Sequence, residues 1–246
     1  MSAELPTMCP HRIAYEQCPS IACKTRLRSF AASGGSVARS YSVIHADPPW
    51  RYDDKLGNSP AWGAMKYPTM SVEELCALPV KQHAAKDCAL LMWATWPLLP
   101  EALRVIEAWG FKYRTCAFVW VKQNPNADNG WLIRQDLKDA LDGYSGLGKW
   151  VNGNTEICLL AKRGSPKRQA KNVKQLVIAP RSRHSAKPPE VRDRIVRLFG
   201  DVPRLEMFAR SKTPGWDVWG NELSNDVELV PQNAEVSDRR GGGSLD

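Results

Sequence analysis

The sequence predicts an α/β fold in which a mostly parallel β-sheet carries helices on both faces. Three observations predict it. From Tyr41 onward, short apolar runs of strand length alternate with segments whose apolar residues recur at helical spacing. Hydrophobic residues make up 43% of the 246-residue chain, enough for a sizeable core and too many for long intrinsic disorder. No internal period supports a repeat or coiled-coil architecture, and the most apolar stretch, Cys88 to Leu99, has only the length of a buried strand and its turn. A membrane span needs ~20 apolar residues.

The elements follow in order. Residues 1–40 are polar and hold the Ser33–Ser36 Ser-Gly-Gly-Ser stretch, and they read as a partly ordered extension. They contain Cys9, His11, Cys18 and Cys23, but the spacing lacks the paired Cys-x2-Cys of a zinc knuckle, so no metal is expected. No apolar segment resembles a secretory signal, and four of the seven cysteines (Cys76, Cys88, Cys116 and Cys158) sit in or beside apolar runs as small hydrophobes do, which points to a reducing cytoplasm without disulfides. Ser42–Ala46 reads as a buried strand, and Ser71, followed by Glu73 and Glu74, opens a helix to Leu78. Ala89–Ala94 is the next strand. Leu99, Leu103, Ile106 and Trp109 share one helix face, and Gly110 ends that helix. Strands follow at Thr115–Val121, Glu156–Ala161 and Gln175–Ile178. Pro188-Pro189 opens a helix with Val191, Ile195, Leu198 and Phe199 on one face, closed by Gly200, and Arg204–Phe208 is the last strand. The domain so defined spans 41–223, and residues 224–246 read as a disordered tail. His45 reads as core and His83 as lying on a solvated face.

Asp47-Pro48-Pro49-Trp50 is the segment richest in chemistry, because it follows a buried strand at the sheet edge where α/β proteins bind ligands. An aromatic amine is a poor nucleophile, since its lone pair is delocalised into the ring. Hydrogen bonds from its two protons to the Asp47 carboxylate and the Pro48 carbonyl would draw the nitrogen toward sp³ and free the pair. The prolines, with Pro49 second, fix φ and remove amide donors, so that carbonyl is aimed rigidly. Trp50 offers a face for stacking a base.

Residues Tyr41–Tyr52 (YSVIHADPPWRY) resemble the DPPW-class, S-adenosylmethionine-dependent adenine-N6 methyltransferases, which include the catalytic subunit of the eukaryotic mRNA adenosine methyltransferase and bacterial and phage DNA enzymes. Further segments match in the family's order: Tyr67–Ser71, Leu91–Thr95, Phe118–Lys122, Gly148–Glu156, His184–Glu190, Leu205–Arg210 and the stretch from Gly215-Trp216 to Trp219–Glu222. The resemblance implies a Rossmann-like methyltransferase fold with permuted motif order. It implies that Lys187 meets the methionine carboxylate of S-adenosylmethionine and Asp47 the amine, with Glu206, Arg210, Asn221 and Glu222 on the ribose and adenine side. Trp50, Tyr67 and Trp93 are the expected base-side residues. Two departures are visible: Arg28–Val37 has no acidic residue where the family often reads the cofactor adenine, and Lys149 stands where the family often has an aromatic residue or His.

Charge points to the substrate. Lys+Arg number 34 against 26 Asp+Glu, for a net charge of +8, and residues 162–197 alone hold twelve Lys/Arg against Glu190 and Asp193, or +10. Such density attracts phosphates. Lys167, Arg168 and Lys171 are therefore expected to bind nucleic acid, and their loss to flatten the salt dependence of binding. The expected activity is methyl transfer to adenine N6, in DNA rather than RNA because the short chain carries no added RNA-binding module. The alternatives are an RNA enzyme with the same chemistry, or a catalytically silent nucleic-acid-binding subunit. The expected protein is cytoplasmic, off the membrane, and a monomer or homodimer.

Overall fold

The computed structural model describes residues 39–52, 68–123, 150–151, 153–181 and 186–229. The strands are β1 (Tyr41–Ala46), β2 (Ala84–Ala94), β3 (Lys112–Gln123), β4 (Thr155–Arg163), β5 (Leu176–Pro180), β6 (Arg204–Met207) and β7 (Asp217–Trp219). The helices are α1 (Val72–Cys76), α2 (Val80–His83), α3 (Leu99–Ala108) and α4 (Glu190–Phe199), with a 3₁₀ turn at Trp96–Leu98. One seven-stranded sheet has the order β5-β3-β4-β2-β1-β6-β7. Neighbours run parallel except around β4, which is antiparallel to both β2 and β3. The fold is the expected α/β sheet, mostly parallel, with one reversed strand that periodicity could not reveal.

Period-two alternation sorts the strand side chains into two cores. Ile44, Leu90, Met92, Leu159 and Leu205 pack against Leu75 of α1 and Ala102, Val105 and Ile106 of α3. Val43, Leu91, Phe118, Cys158 and Val177 pack against Val191, Ile195 and Phe199 of α4. The α4 triad is spaced i, i+4, i+8, so a single stripe is buried, and each such side chain contributes ~1.5–3 kcal/mol. Ser71 caps α1 in a reciprocal capping box with Glu74. Gly110 and Gly200 end α3 and α4 at φ 82°, where a Cβ would be strained. The indole N–H of buried Trp109 donates to the Leu75 carbonyl at 2.7 Å and ties α3 to α1.

Two sequence expectations change here. Packing continues beyond residue 223: Val227 and Leu229 are buried in the first core, and the Glu228 carbonyl lies 3.1 Å from Nε2 of His83. His83 is buried rather than solvated, because this segment folds over it. Among the described residues, no helix is long and apolar enough to cross a membrane. Cys9, His11, Cys18 and Cys23 lie outside the described residues, as does most of the 1–40 extension.

The register gathers the site. Ala46 at the end of β1 pairs with Met92 of β2 and Met207 of β6, so three parallel strands end together. Ala94 pairs with Ile157, and Val121 with Thr155, so the reversed β4 begins where β2 and β3 end.

Candidate active site

Asp47 emerges from β1 at this shared edge. The next residues form a tight turn in which the Trp50 amide donates to the Pro48 carbonyl at 2.9 Å. That occupies one lone pair of the carbonyl and leaves the other for a second donor. The Pro49 carbonyl accepts the Met70 amide at 2.8 Å, which pins Pro68–Met70 alongside. Trp50 is only 8% exposed, and its indole N–H donates to the Trp93 carbonyl at 3.1 Å. It therefore forms a wall of the site and not the open stacking face expected from sequence.

A charged cluster occupies the strand ends. Nζ of Lys187, just before α4, lies 2.8 Å from Oδ2 and 2.7 Å from Oδ1 of Asp47, and 3.3 Å from Oε2 of Glu156. Lys122, at the end of β3, forms an ion pair with the same Glu156 carboxylate. The Lys187 ammonium also sits 5.6 Å from the ring centroid of Trp93, which is buried beneath it. Trp93 is thus the floor under Lys187. Burial pushes the Asp47 carboxyl above its usual range, and the Lys187 ammonium opposes that shift without cancelling it. Burial also acts on Glu156, but there Lys187 and Lys122 together outweigh it and hold the carboxyl low. Burial works against the Lys187 charge, yet Asp47 and Glu156 raise its pKa on balance.

These groups open into a cavity of about 550 Å³, lined among others by Asp47, Pro48, Pro49, Trp50, Trp93, Glu156, Lys187, Phe208, Arg210, Asn221 and Glu222. That volume suits a small organic ligand. Phe208 turns the chain out of β6 at φ 60°, a left-handed conformation that non-glycine residues seldom adopt, and its ring meets Trp219 edge to face. Gly220 allows the wall to close: a Cβ there would lie 2.0 Å from the Ala209 carbonyl oxygen.

The family model described as MT-A70 matches residues 41–222, most of the chain and all of this site. The chain belongs to the MT-A70 family. It is 32% identical over 220 residues to the type II methyltransferase M.MunI of Mycoplasma sp, covering 82% of this chain and 86% of that one. It is 27% identical to the N(6)-adenosine-methyltransferase MT-A70-like protein of Arabidopsis thaliana, over 83% of this chain but 26% of that one. The N(6)-adenine-specific methyltransferase METTL4 of Homo sapiens is 28% identical over 75% of this chain and 38% of its own length.

Within this MT-A70 domain the sequence-predicted residues divide. Asp47, Pro48, Pro49, Trp50, Trp93, Lys187, Arg210, Asn221 and Glu222 share the cavity. Glu206 does not line it. Strand β6 ends one residue later, and Glu206 projects toward α4, where Arg192 grips its carboxylate at 2.8 and 2.6 Å. Tyr67 lies outside the described residues. Lys167, Arg168 and Lys171 are exposed, but they lie at the opposite end of the sheet. They follow the end of β4, where Arg163 pairs with Cys88 at the start of β2, and Gln169 donates to the Leu198 carbonyl at the far end of α4. Part of the basic run is also engaged internally: Arg163 bonds the Lys81 carbonyl, Arg192 bonds Glu206, Arg194 bonds the carbonyls of Lys174 and Leu176, and Arg197 bonds Asn172.

Sequence reasoning missed Glu156 and Lys122 as site residues. The signal was there: a single charge ends each of two otherwise apolar strand runs. Only the antiparallel pairing of β3 with β4 shows that the two charges meet.

His45 lies beneath the site. Its Nε2 accepts the Trp93 indole N–H at 2.8 Å, while Nδ1 has no hydrogen-bond partner. Burial, with Arg192 and then Lys187 nearby, pushes the imidazole down to about 3. An unfolded imidazole titrates near ~6.5. As pH falls below that value the unfolded chain takes a proton that the folded chain refuses, so this group removes up to ~1.4 kcal/mol of stability per pH unit. Melting temperature should therefore fall between pH 7 and pH 5, and His45→Gln, which keeps an acceptor for Trp93, should make the fall shallower. An unchanged slope in the variant would mean that the imidazole is protonated in the fold.

Proposed function

We propose that this MT-A70 chain transfers a methyl group from S-adenosylmethionine to adenine N6 in nucleic acid, with DNA as the substrate. The observation that carries the reading is the placing of Asp47, Pro48 and Lys187 in one cavity with Arg210, Asn221 and Glu222. The donor set suits the cofactor: an ammonium for its carboxylate, a carboxylate for its amine, and amide, carboxylate and guanidinium groups for ribose hydroxyls. When bound, S-adenosylmethionine supplies an electrophilic methyl group. The chain's own residues do the rest. Asp47 has two carboxylate oxygens, with lone pairs enough to accept both Lys187 and one proton of the target amine. The free lone pair of the Pro48 carbonyl takes the other proton. Bonding of the nitrogen to the methyl carbon would break the C–S bond of the cofactor and release it as a neutral thioether, and the Asp47 carboxylate would stabilise the positive charge that the nitrogen gains and take up the proton it then sheds. Trp50 and Trp93 exclude water beneath. The adenine enters unpaired or flipped out of its duplex.

DNA is favoured over RNA by the likeness to M.MunI, which extends over most of both chains. RNA is the second reading, supported by the weaker likeness to the plant adenosine methyltransferase. A silent binding subunit is disfavoured by the intact Asp47–Lys187 pair. The test is methylation of matched adenine-containing DNA and RNA oligonucleotides, digested to nucleosides and resolved by mass spectrometry. N6-methyldeoxyadenosine is expected. Product in RNA alone would select the second reading, and none in either would overturn the assignment.

The far-edge lysines yield a length-dependent expectation. The nine residues of β4 separate them from the cavity by about 30 Å at ~3.3 Å per residue, or roughly nine base pairs of duplex. Replacing Lys167, Arg168 and Lys171 by Gln should leave the salt slope unchanged on a short oligonucleotide. On a long duplex it should flatten by up to ~2–3 units. An identical slope on both would mean that these charges form a solvated face.

A further inference from the structure

We propose that Trp96 and Tyr52 form a stacking platform at the cavity rim for the nucleotides that flank the target adenine. Trp96 opens the 3₁₀ turn that follows β2 and is 52% exposed. Its indole N–H donates to Oγ1 of Thr155 at 2.9 Å, at the start of β4. Tyr52 is 38% exposed and its hydroxyl lies 2.8 Å from Oγ1 of Thr95. Tyr52 and Thr95 both line the cavity, and Trp96, which follows Thr95, bonds Thr155 next to the cavity's Glu156, so it flanks the lining residues on both sides.

The chemistry of the two rings is the same. Each polar tip is tied to a threonine hydroxyl on a strand end, which fixes the side chain without burying it. Trp96 thus keeps about half of its surface open to water, which tryptophan normally hides. The two tryptophans inside the cavity cannot take this role, because Trp50 and Trp93 are 8% and 1% exposed. The far-edge cations cannot take it either, because Lys167, Arg168 and Lys171 follow the far end of β4. The pre-positioned ring faces therefore add an uncharged grip close to the cavity, to which any base can stack. The platform rests on the reading of the cavity as an adenine methyltransferase site.

The experiment compares wild type, Trp96→Ala and Trp96→Phe on an adenine-containing single-stranded oligodeoxynucleotide. Trp96→Ala should raise KM for the oligonucleotide by about 5–100-fold. Its kcat and its affinity for S-adenosylmethionine should change little. Because stacking is uncharged, the salt slope should match that of wild type. Trp96→Phe should restore most of the loss by returning a ring. A wild-type KM in Trp96→Ala, or a Trp96→Phe as impaired as Trp96→Ala, would overturn the platform while leaving the activity standing. A wild-type protein that methylates no oligonucleotide would overturn the activity and the platform with it.

Discussion

Asp47→Ala is expected to lower turnover by at least ~10²–10³-fold, the range seen when one pre-organised group is removed from a site of developing charge. In the proposed reading the carboxylate is the acceptor for the target amine, and no other acid among the described residues occupies the same position. Glu156 lies on the far side of Lys187 and is already shared with Lys122. The fold should survive, because Asp47 follows β1 at the open edge and its side chain is 28% exposed. Lys187 would keep Glu156 as a partner. Turnover on an adenine oligonucleotide, with circular dichroism as the control for folding, checks this. Near-normal turnover by a folded variant would remove Asp47 from the chemistry.

Lys187→Ala is expected to cost both cofactor affinity and stability. Losing one charge-assisted hydrogen bond to the cofactor weakens binding by ~1.5–3 kcal/mol, or roughly 10–100-fold. The structure adds a second effect. Lys187 is the cation between two carboxylates, and its side chain is only 11% exposed. Its removal leaves Asp47 without that partner, and breaking a fully buried pair costs ~3–5 kcal/mol, an upper bound here because the Asp47 side chain is 28% exposed. Lys122, which still partners Glu156, should place the value at the lower end. The pH dependence has a definite sign. Without Lys187, Asp47 loses the cation that lowers its carboxyl, so its folded pKa rises further above the unfolded value. The destabilisation is then fullest at neutral pH and shrinks as pH falls through that raised range and Asp47 takes a proton. Denaturant midpoints between pH 7 and pH 5, with calorimetric titration of S-adenosylmethionine, measure both effects. Unchanged values in both would make Lys187 a surface cation.

The sequence by itself determined the strand that delivers Asp47, the helix that follows Lys187 and the order of the segments between them. Each of these is local. Ser42–Ala46 is apolar at strand length, Val191, Ile195 and Phe199 recur at helical spacing, and proline and glycine punctuate both ends of that helix. The cavity's Arg210, Asn221 and Glu222 were reachable through the resemblance, because they follow β6 within a short stretch of chain. Strand direction and side-chain facing were decided by the tertiary structure alone. An apolar run reads the same whether its strand lies parallel or antiparallel, since periodicity carries no information about the neighbour's direction. The reversal of β4 brought Glu156 to Asp47 and Lys187, and it carried Lys167, Arg168 and Lys171 to the opposite edge. Glu206 turned to Arg192 for a similar reason: inside a strand a residue's face follows from its register, and a buried carboxylate takes the cation that the facing helix presents.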